Sequence, residues 1–244
     1  MGKFGKWIGG GLGWAVGGPI GAIFGFVVGS IIDGSTTEMQ TGRTTGYSGR
    51  TTAGGYVMSL LVLVAAVMKA DGKVLKSELD YVKRFMVQNF GEASATEAIK
   101  LLRDLLKQNI PVNEVCRQIK QNMNYSARLQ LLHFLFGIAN ADGHVEDNER
   151  RIIENIAKEM GIGNSDFESI QAMFVRNVGA DYKILEIEPS VSNEELKKAY
   201  RRMAMKFHPD KVSHLGDDFQ KAAKDKFQMV NQAYENIKKE RKIA

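Results

Sequence analysis

The chain has 244 residues, 44% hydrophobic and 25% charged, with a formal net charge of +5 and a single cysteine. That composition excludes a disordered chain, an intramolecular disulfide framework and a paired-cysteine metal module. No segment concentrates basic residues as a general nucleic-acid binder does, and neither zinc-finger spacing nor a stacked-aromatic RNA motif occurs, so no nucleic-acid partner is expected.

No charged residue occurs from Ile8 to Ile32. As a helix this run would reach about 37 Å, enough to cross a hydrocarbon core with some tilt. Gly9, Gly13, Gly17, Gly21, Gly25 and Gly29 recur at every fourth position. In water such glycines weaken a helix. In lipid the backbone must satisfy itself, and the glycines make a face on which a second helix can pack closely. Lys3 and Lys6 resemble the start of a signal peptide, but the run is long and no A-x-A site follows, so a retained single span is expected. Flanking charges are nearly balanced and do not set its orientation.

Residues 1–33 are thus read as an anchor, and residues 34–55, rich in Thr, Gly and Ser, as a flexible linker. From Tyr56 the pattern becomes helical, with about seven helices and no alternating strand signal up to residue 178. The first, "YVMSLLVLVAAVMKA", is apolar on nearly every face but too short for a second span, which predicts a buried central helix. Ser94 with Glu97, and Ser165 with Glu168, are spaced as capping boxes, Pro111 suits a first turn, and "AKEMG" ends at a glycine cap.

"ADGKVLKSELDYV" at 70–82 and "ADGHVEDNERRII" at 141–153 share A-D-G-x-V-x-x-x-E. Two related helix–turn–helix halves follow, with Gly72 and Gly143 in the turns and Glu78 and Glu149 in first helical turns. Asp71, Glu78, Asp142 and Glu149 are candidate ligands for a hard divalent cation. The twelve-residue calcium-loop spacing is absent, so the expectation is no metal, with the acids serving the turns. These turns between apolar helices resemble the TerB domain, an all-helical module, over residues 56–178.

In residues 179–244 a short helix, a turn at Pro189 and a long amphipathic helix are predicted, the last opened by a Ser192–Glu195 capping box. Leu196, Tyr200, Met203 and Phe207 form its buried face, with Lys197, Lys198, Arg201, Arg202 and Lys206 on exposed faces. Pro209 ends it at His208. A loop and a second long helix follow, marked by Phe219, Ala222, Ala223, Phe227, Val230, Ala233, Tyr234 and Ile237, and the two pack as a hairpin.

This hairpin, with His208-Pro209-Asp210 at the end of "AYRRMAMKF" and with "NQAYENI" beyond, resembles the J domain of DnaJ-family co-chaperones. The resemblance implies a DnaK-type ATPase chaperone as partner and stimulation of its ATP hydrolysis, with no catalytic residue or cofactor in this chain. It also implies that Lys197, Tyr200, Arg201, Arg202, Lys206, Lys211 and the tripeptide dock on that partner, Asp210 reaching an arginine. The complete arrangement, all-α with anchor, TerB-like middle and J domain, resembles the DjlA-like family of membrane-anchored bacterial co-chaperones. That implies a single-pass inner-membrane protein with residues 56–244 in the cytoplasm, self-associating through the glycine face. An alternative is a membrane stress- or ion-sensing scaffold acting through the TerB-like region.

Overall fold

The computed structural model describes residues 18–23, 53–70, 72–175 and 179–243. Every regular element among them is helical, as expected. The chain divides into two compact units, Met1–Asn124 and Tyr125–Ala244.

The span expected at Ile8–Ile32 lies outside the described residues except for 18–23. There, residues 19–23 are helical, and the Ile20 N–H donates to Gln118 Oε1 at 3.0 Å. Among the described residues no helix is long and apolar enough to cross a membrane. Gly9, Gly13, Gly17, Gly25, Gly29, Asp71 and most of the linker are likewise outside.

The first unit is built around α1 (Ala53–Met68). Its residues from Leu60 to Val64 are wholly buried because no face carries a charge, as the sequence predicts. Ser59, also buried, donates its hydroxyl to the Gly55 carbonyl at 2.8 Å, so the core keeps no unpaired hydroxyl there. Helix α2 (Lys76–Leu105) packs on α1 and breaks at Gly91, whose φ of 82° favours glycine. The expected capping box at Ser94 is not formed. The second limb has already begun at Gly91, and Ser94 is buried inside it. Helix α3 (Val112–Asn122) follows, with Pro111 at the N-cap rather than inside the first turn.

Both repeat turns close with equivalent hydrogen bonds. In the first, Ala70 N–H donates to Val67 O and Gly72 N–H to Lys69 O. In the second, Ala141 donates to Ile138 O and Gly143 to Asn140 O. Gly72 and Gly143 have φ of 78° and 92°, the left-handed region that excludes most side chains.

The second unit opens with α4 (Tyr125–Ala139), buried along nearly its whole length. Helix α5 (Asp147–Glu159) ends in a Schellman arrangement, with Ile162 N–H donating to Ala157 O and Gly161 N–H to Lys158 O, confirming the glycine cap. Helix α6 (Asn164–Phe174) corrects a second expectation. Its N-cap is Gly163, and Ser165 already lies in the first turn, so the Ser165–Glu168 box is not formed. The Gly163 N–H is satisfied instead by the Tyr125 hydroxyl at 3.2 Å.

Helices α7 (Ala180–Ile184) and α8 (Asn193–Lys206), a 3-10 helix (Pro209–Leu215) and α9 (Asp217–Glu240) complete this unit. The Ser192–Glu195 box forms in both directions. Glu195 N–H donates to Ser192 Oγ at 3.2 Å, and Ser192 N–H donates to Glu195 Oε2 at 2.8 Å. The Ser192 N–H and the Ser192 hydroxyl, 2.9 Å from the same Oε2, hold the Glu195 carboxyl below its usual range. Helices α8 and α9 run antiparallel. The start of α8 meets Arg241 past the end of α9, Tyr200 stacks on Tyr234 at 4.2 Å, and Phe207 lies under Lys226. Residues 56–178, expected as one TerB-like region, therefore supply elements to both units. Helices α1–α3 build the first, and α4–α6 pack with the C-terminal hairpin in the second.

Candidate partner-docking site

The expected J-type tripeptide sits at the tip of the α8/α9 hairpin, and local chemistry puts it there. Phe207 N–H closes α8 on Met203 O, and Pro209 holds His208 extended (φ −62°, ψ 133°). The segment that follows, expected as a loop, is a seven-residue 3-10 helix with Pro209 in its first turn. Val212 and Leu215 bury its inner side, at spacing three, which suits a three-residue turn. The His208 Nδ1 caps it by accepting the Asp210 N–H at 3.3 Å, and the ring meets Phe227 edge-on at 5.5 Å. His208 thus shapes the turn. The Asp210 carboxylate is 76% exposed; its Oδ1 accepts a 3.4 Å bond from Gln220, and its Oδ2 lies 3.5 Å from His208 Nδ1.

His208, Pro209 and Asp210 form one wall of a hollow of about 500 Å³. The other wall comes from α9: Gln220, Lys224, Phe227, Gln228 and Asn231. None of these was singled out as a site residue in the sequence. The available signal was Phe227, which helical periodicity assigns to the core but which is only half-buried.

Of the basic residues, Lys197 and Arg201 stand exposed on α8, and Lys211 is exposed on the 3-10 helix. Tyr200 is half-buried, with its hydroxyl donating to Asn231 Oδ1 at 3.0 Å. Met205, 68% exposed, adds an apolar side chain to the outer surface of α8. Arg202 is exposed but donates to the Leu185 carbonyl at 3.1 Å. Lys206 differs from the expected free cation. Its ammonium lies 2.7 Å from Asp166 Oδ1 and 2.8 Å from Glu186 Oε1, with the side chain only 26% exposed. Burial opposes its charge, yet the bonds to both carboxylates prevail and raise its pKa.

On the buried side of α9 lies a cation. Lys226 is 0% exposed, and its Nζ sits over the Phe207 ring at 4.7 Å with no hydrogen-bond partner among the described residues. Burial pushes its pKa well down, and the Asp166 charge opposes this in part. His133 on α4 is also buried, its ring 4.7 Å from Phe174 and its Nε2 without a hydrogen-bond partner among the described residues. Burial, assisted by Lys226, lowers its pKa well below the ordinary value.

The three described acidic candidates each accept a bond from their own turn. Glu78 Oε2 accepts the Leu75 N–H at 2.7 Å, Glu149 Oε2 accepts the Glu146 N–H at 3.0 Å, and Asp142 Oδ1 accepts the His144 N–H at 3.0 Å. Among the described residues no group of three or more His, Cys, Asp or Glu side chains is placed to hold a metal.

Three family models match the chain: the tellurite resistance protein TerB over residues 58–172, the DnaJ domain over 181–244, and the co-chaperone DjlA transmembrane domain over 1–49. Curated relatives named co-chaperone protein DjlA match along most of its length. The Vibrio cholerae relative is 28% identical over 77% of this chain and 78% of its own. The Coxiella burnetii relative is 26% identical over 72% and 74%, and that of Escherichia coli K12 is 27% identical over 71% and 74%. No solved structure matches.

Proposed function

We infer, for a DjlA-like chain that joins a DjlA transmembrane domain to TerB and DnaJ domains, that it is a membrane-tethered co-chaperone which recruits a DnaK-type chaperone and stimulates its ATP hydrolysis. The observation that carries this reading is the tripeptide. His208, Pro209 and Asp210 stand at the hairpin tip with an exposed carboxylate, beside a basic helix and above an open hollow. Lys197, Arg201, Arg202 and Lys211 would steer an acidic partner surface, and Asp210, an acceptor-only carboxylate, suits a partner arginine. The stiff proline turn limits the entropy lost on docking. The chain acts as a regulator and performs no chemistry of its own.

The test is single-turnover ATPase of a purified DnaK-type chaperone with the full chain in vesicles. Wild type should stimulate it, less so as salt rises. The double change Arg201→Glu and Arg202→Glu should lower the association rate about tenfold or more. Stimulation indifferent to salt and to these charges would place the docking face elsewhere.

The partner requires ATP, which supports a cytoplasmic position for residues 56–244 and the opposite side for Met1. The glycine face supports self-association, which would bring two J domains together. Gly17→Leu and Gly21→Leu should reduce crosslinking between labelled spans in membranes while leaving insertion intact. Equal crosslinking in wild type and both variants would assign the glycines another role.

The bonds made by Glu78, Glu149 and Asp142 support helix-start and turn roles rather than a resident metal. Calcium or magnesium should therefore leave the melting temperature of the full chain unchanged. A saturable rise, lost in Asp142→Ala, would favour an ion-sensing scaffold.

A further inference from the structure

The DnaJ-type hairpin shares its unit with α6, and one α6 carboxylate reaches into the expected docking face. Asp166 lies in the first turn of α6 and is almost fully buried. The Tyr125 hydroxyl of α4 donates to its Oδ2 at 2.6 Å, leaving Oδ1 for Lys206. Two further contacts keep α6 against the hairpin's base. Ser169 Oγ donates to the Ile184 carbonyl at 2.8 Å, and α7 packs along α6. On the other side of Lys206, Glu186 adopts φ 56°, a left-handed conformation uncommon outside glycine, and its carboxylate meets Lys206. Lys206 is thus held by one carboxylate from each side.

We propose that Asp166, outside the hairpin, is a positioning residue that withholds Lys206 from the docking face, so that the TerB-like half packed on the J domain sets how strongly the chain engages its partner. The proposal rests on the co-chaperone reading. The ammonium donates a hydrogen bond to Glu186 Oε1 and makes a close ion pair with Asp166 Oδ1 at 2.7 Å. To serve an acidic partner, Lys206 must leave both, one of them largely desolvated. Lys197 and Arg201 are exposed and carry no comparable tie among the described residues. Docking therefore begins with a reduced set of cations, and any event that loosens α6 returns one more. The Tyr125 bond keeps Asp166 oriented even when Lys206 leaves, so release needs no unfolding of α6.

The experiment compares four full-length chains in vesicles: wild type, Asp166→Asn, Lys206→Met and the double variant. Thermal melts confirm that each is folded. The readouts are the concentration giving half-maximal stimulation of a DnaK-type ATPase and its salt dependence. Asparagine can still accept the Tyr125 hydroxyl but does not hold an ammonium by charge. Asp166→Asn should lower the half-maximal concentration about threefold or more and steepen the salt dependence, with the maximal rate unchanged. Lys206→Met alone should sit near wild type, and adding it to Asp166→Asn should erase the gain. A purely structural ion pair would move the melts and leave the half-maximal concentration and salt slope in place. Glu186→Gln frees Lys206 from its other side and also releases Arg202, 3.6 Å from Glu186 Oε2; it should shift affinity in the same direction, by an amount that adding Lys206→Met reduces, and serves if Asp166→Asn does not fold. No gain in either variant, or a loss in Lys206→Met as large in wild type as in the Asp166→Asn background, would overturn the proposal alone. A wild type that stimulates nothing would overturn the co-chaperone reading and this proposal with it.

Discussion

In the His208→Gln and Asp210→Asn variants, stimulation of a DnaK-type ATPase is expected to fall to its unstimulated level while the chain stays folded. Asp210→Asn removes the formal charge from a carboxylate that is 76% exposed and barely engaged within the chain. Losing one member of a desolvated charge pair across an interface costs about 2–5 kcal/mol, or roughly 30-fold and more in affinity. His208→Gln acts through shape. The ring's Nδ1 caps the 3-10 helix and its edge meets Phe227, so the tripeptide and the α9 wall of the hollow are set together. Glutamine lacks a rigid ring to do both. The fold survives because Val212 and Leu215, rather than the tripeptide, bury the turn against the unit. Circular dichroism should match wild type, and melting should drop by a few degrees at most, since one exposed neutral bond contributes about 1 kcal/mol. Full stimulation by both variants would remove the co-chaperone assignment.

Lys226→Met is expected to stabilise the protein by about 2 kcal/mol, raising the melting temperature by several degrees. Methionine has nearly the same length and fills the space over Phe207 without a charge. The buried ammonium has no hydrogen-bond partner among the described residues, and its environment of Phe207, His133 and Asp166 contains one anion already shared with Lys206. The sign of the pH dependence follows from the lowered pKa. Below the folded-state value both states carry the proton, and the folded state bears the full burial cost. As pH rises from there toward the unfolded value near 10.5, the unfolded chain holds its proton longer, so wild-type stability increases relative to the variant. The advantage of Lys226→Met should therefore shrink as pH rises and vanish above about 10.5. His133 titrates in a separate window, its destabilisation developing as pH falls below about 6.5. Denaturant melts of both proteins across pH measure this. A less stable Met variant at neutral pH would mean that the cation-π contact and the Asp166 charge outweigh burial.

Lys226 also marks how far periodicity carries. Phe219, Ala223, Val230, Ala233 and Ile237 are buried, and the stripe at alternating spacings of four and three is continuous only when Lys226 fills the gap. A charge in that position reads as exposed in a sequence, because burial of an ammonium is rare. Only the packing around the hairpin could place it inside. Ser165 shows the same limit from the other direction. Its spacing to Glu168 satisfies the capping rule, yet the tyrosine hydroxyl at position 125 serves the helix start and α6 begins at Asn164.

The sequence by itself determined the features that depend on neighbours within a few residues. These are the all-helical class, the buried α1, the matched turns at Gly72 and Gly143, the Ser192–Glu195 box, the glycine end of α5 and the exposed tripeptide after α8. Each is fixed by local hydrogen bonding, by φ preference or by a helical repeat of apolar side chains, so a short window contains its cause. The tertiary structure decided the division between Asn124 and Tyr125, which separates the two repeats, and the pairing of Lys206 with Asp166, 40 positions apart in the sequence. It also supplied the second wall of the hollow from α9 and the burial of Lys226. Those outcomes depend on which surfaces pack together, and the free energy of a buried charge or a shared carboxylate is set by that packing rather than by its own stretch of chain.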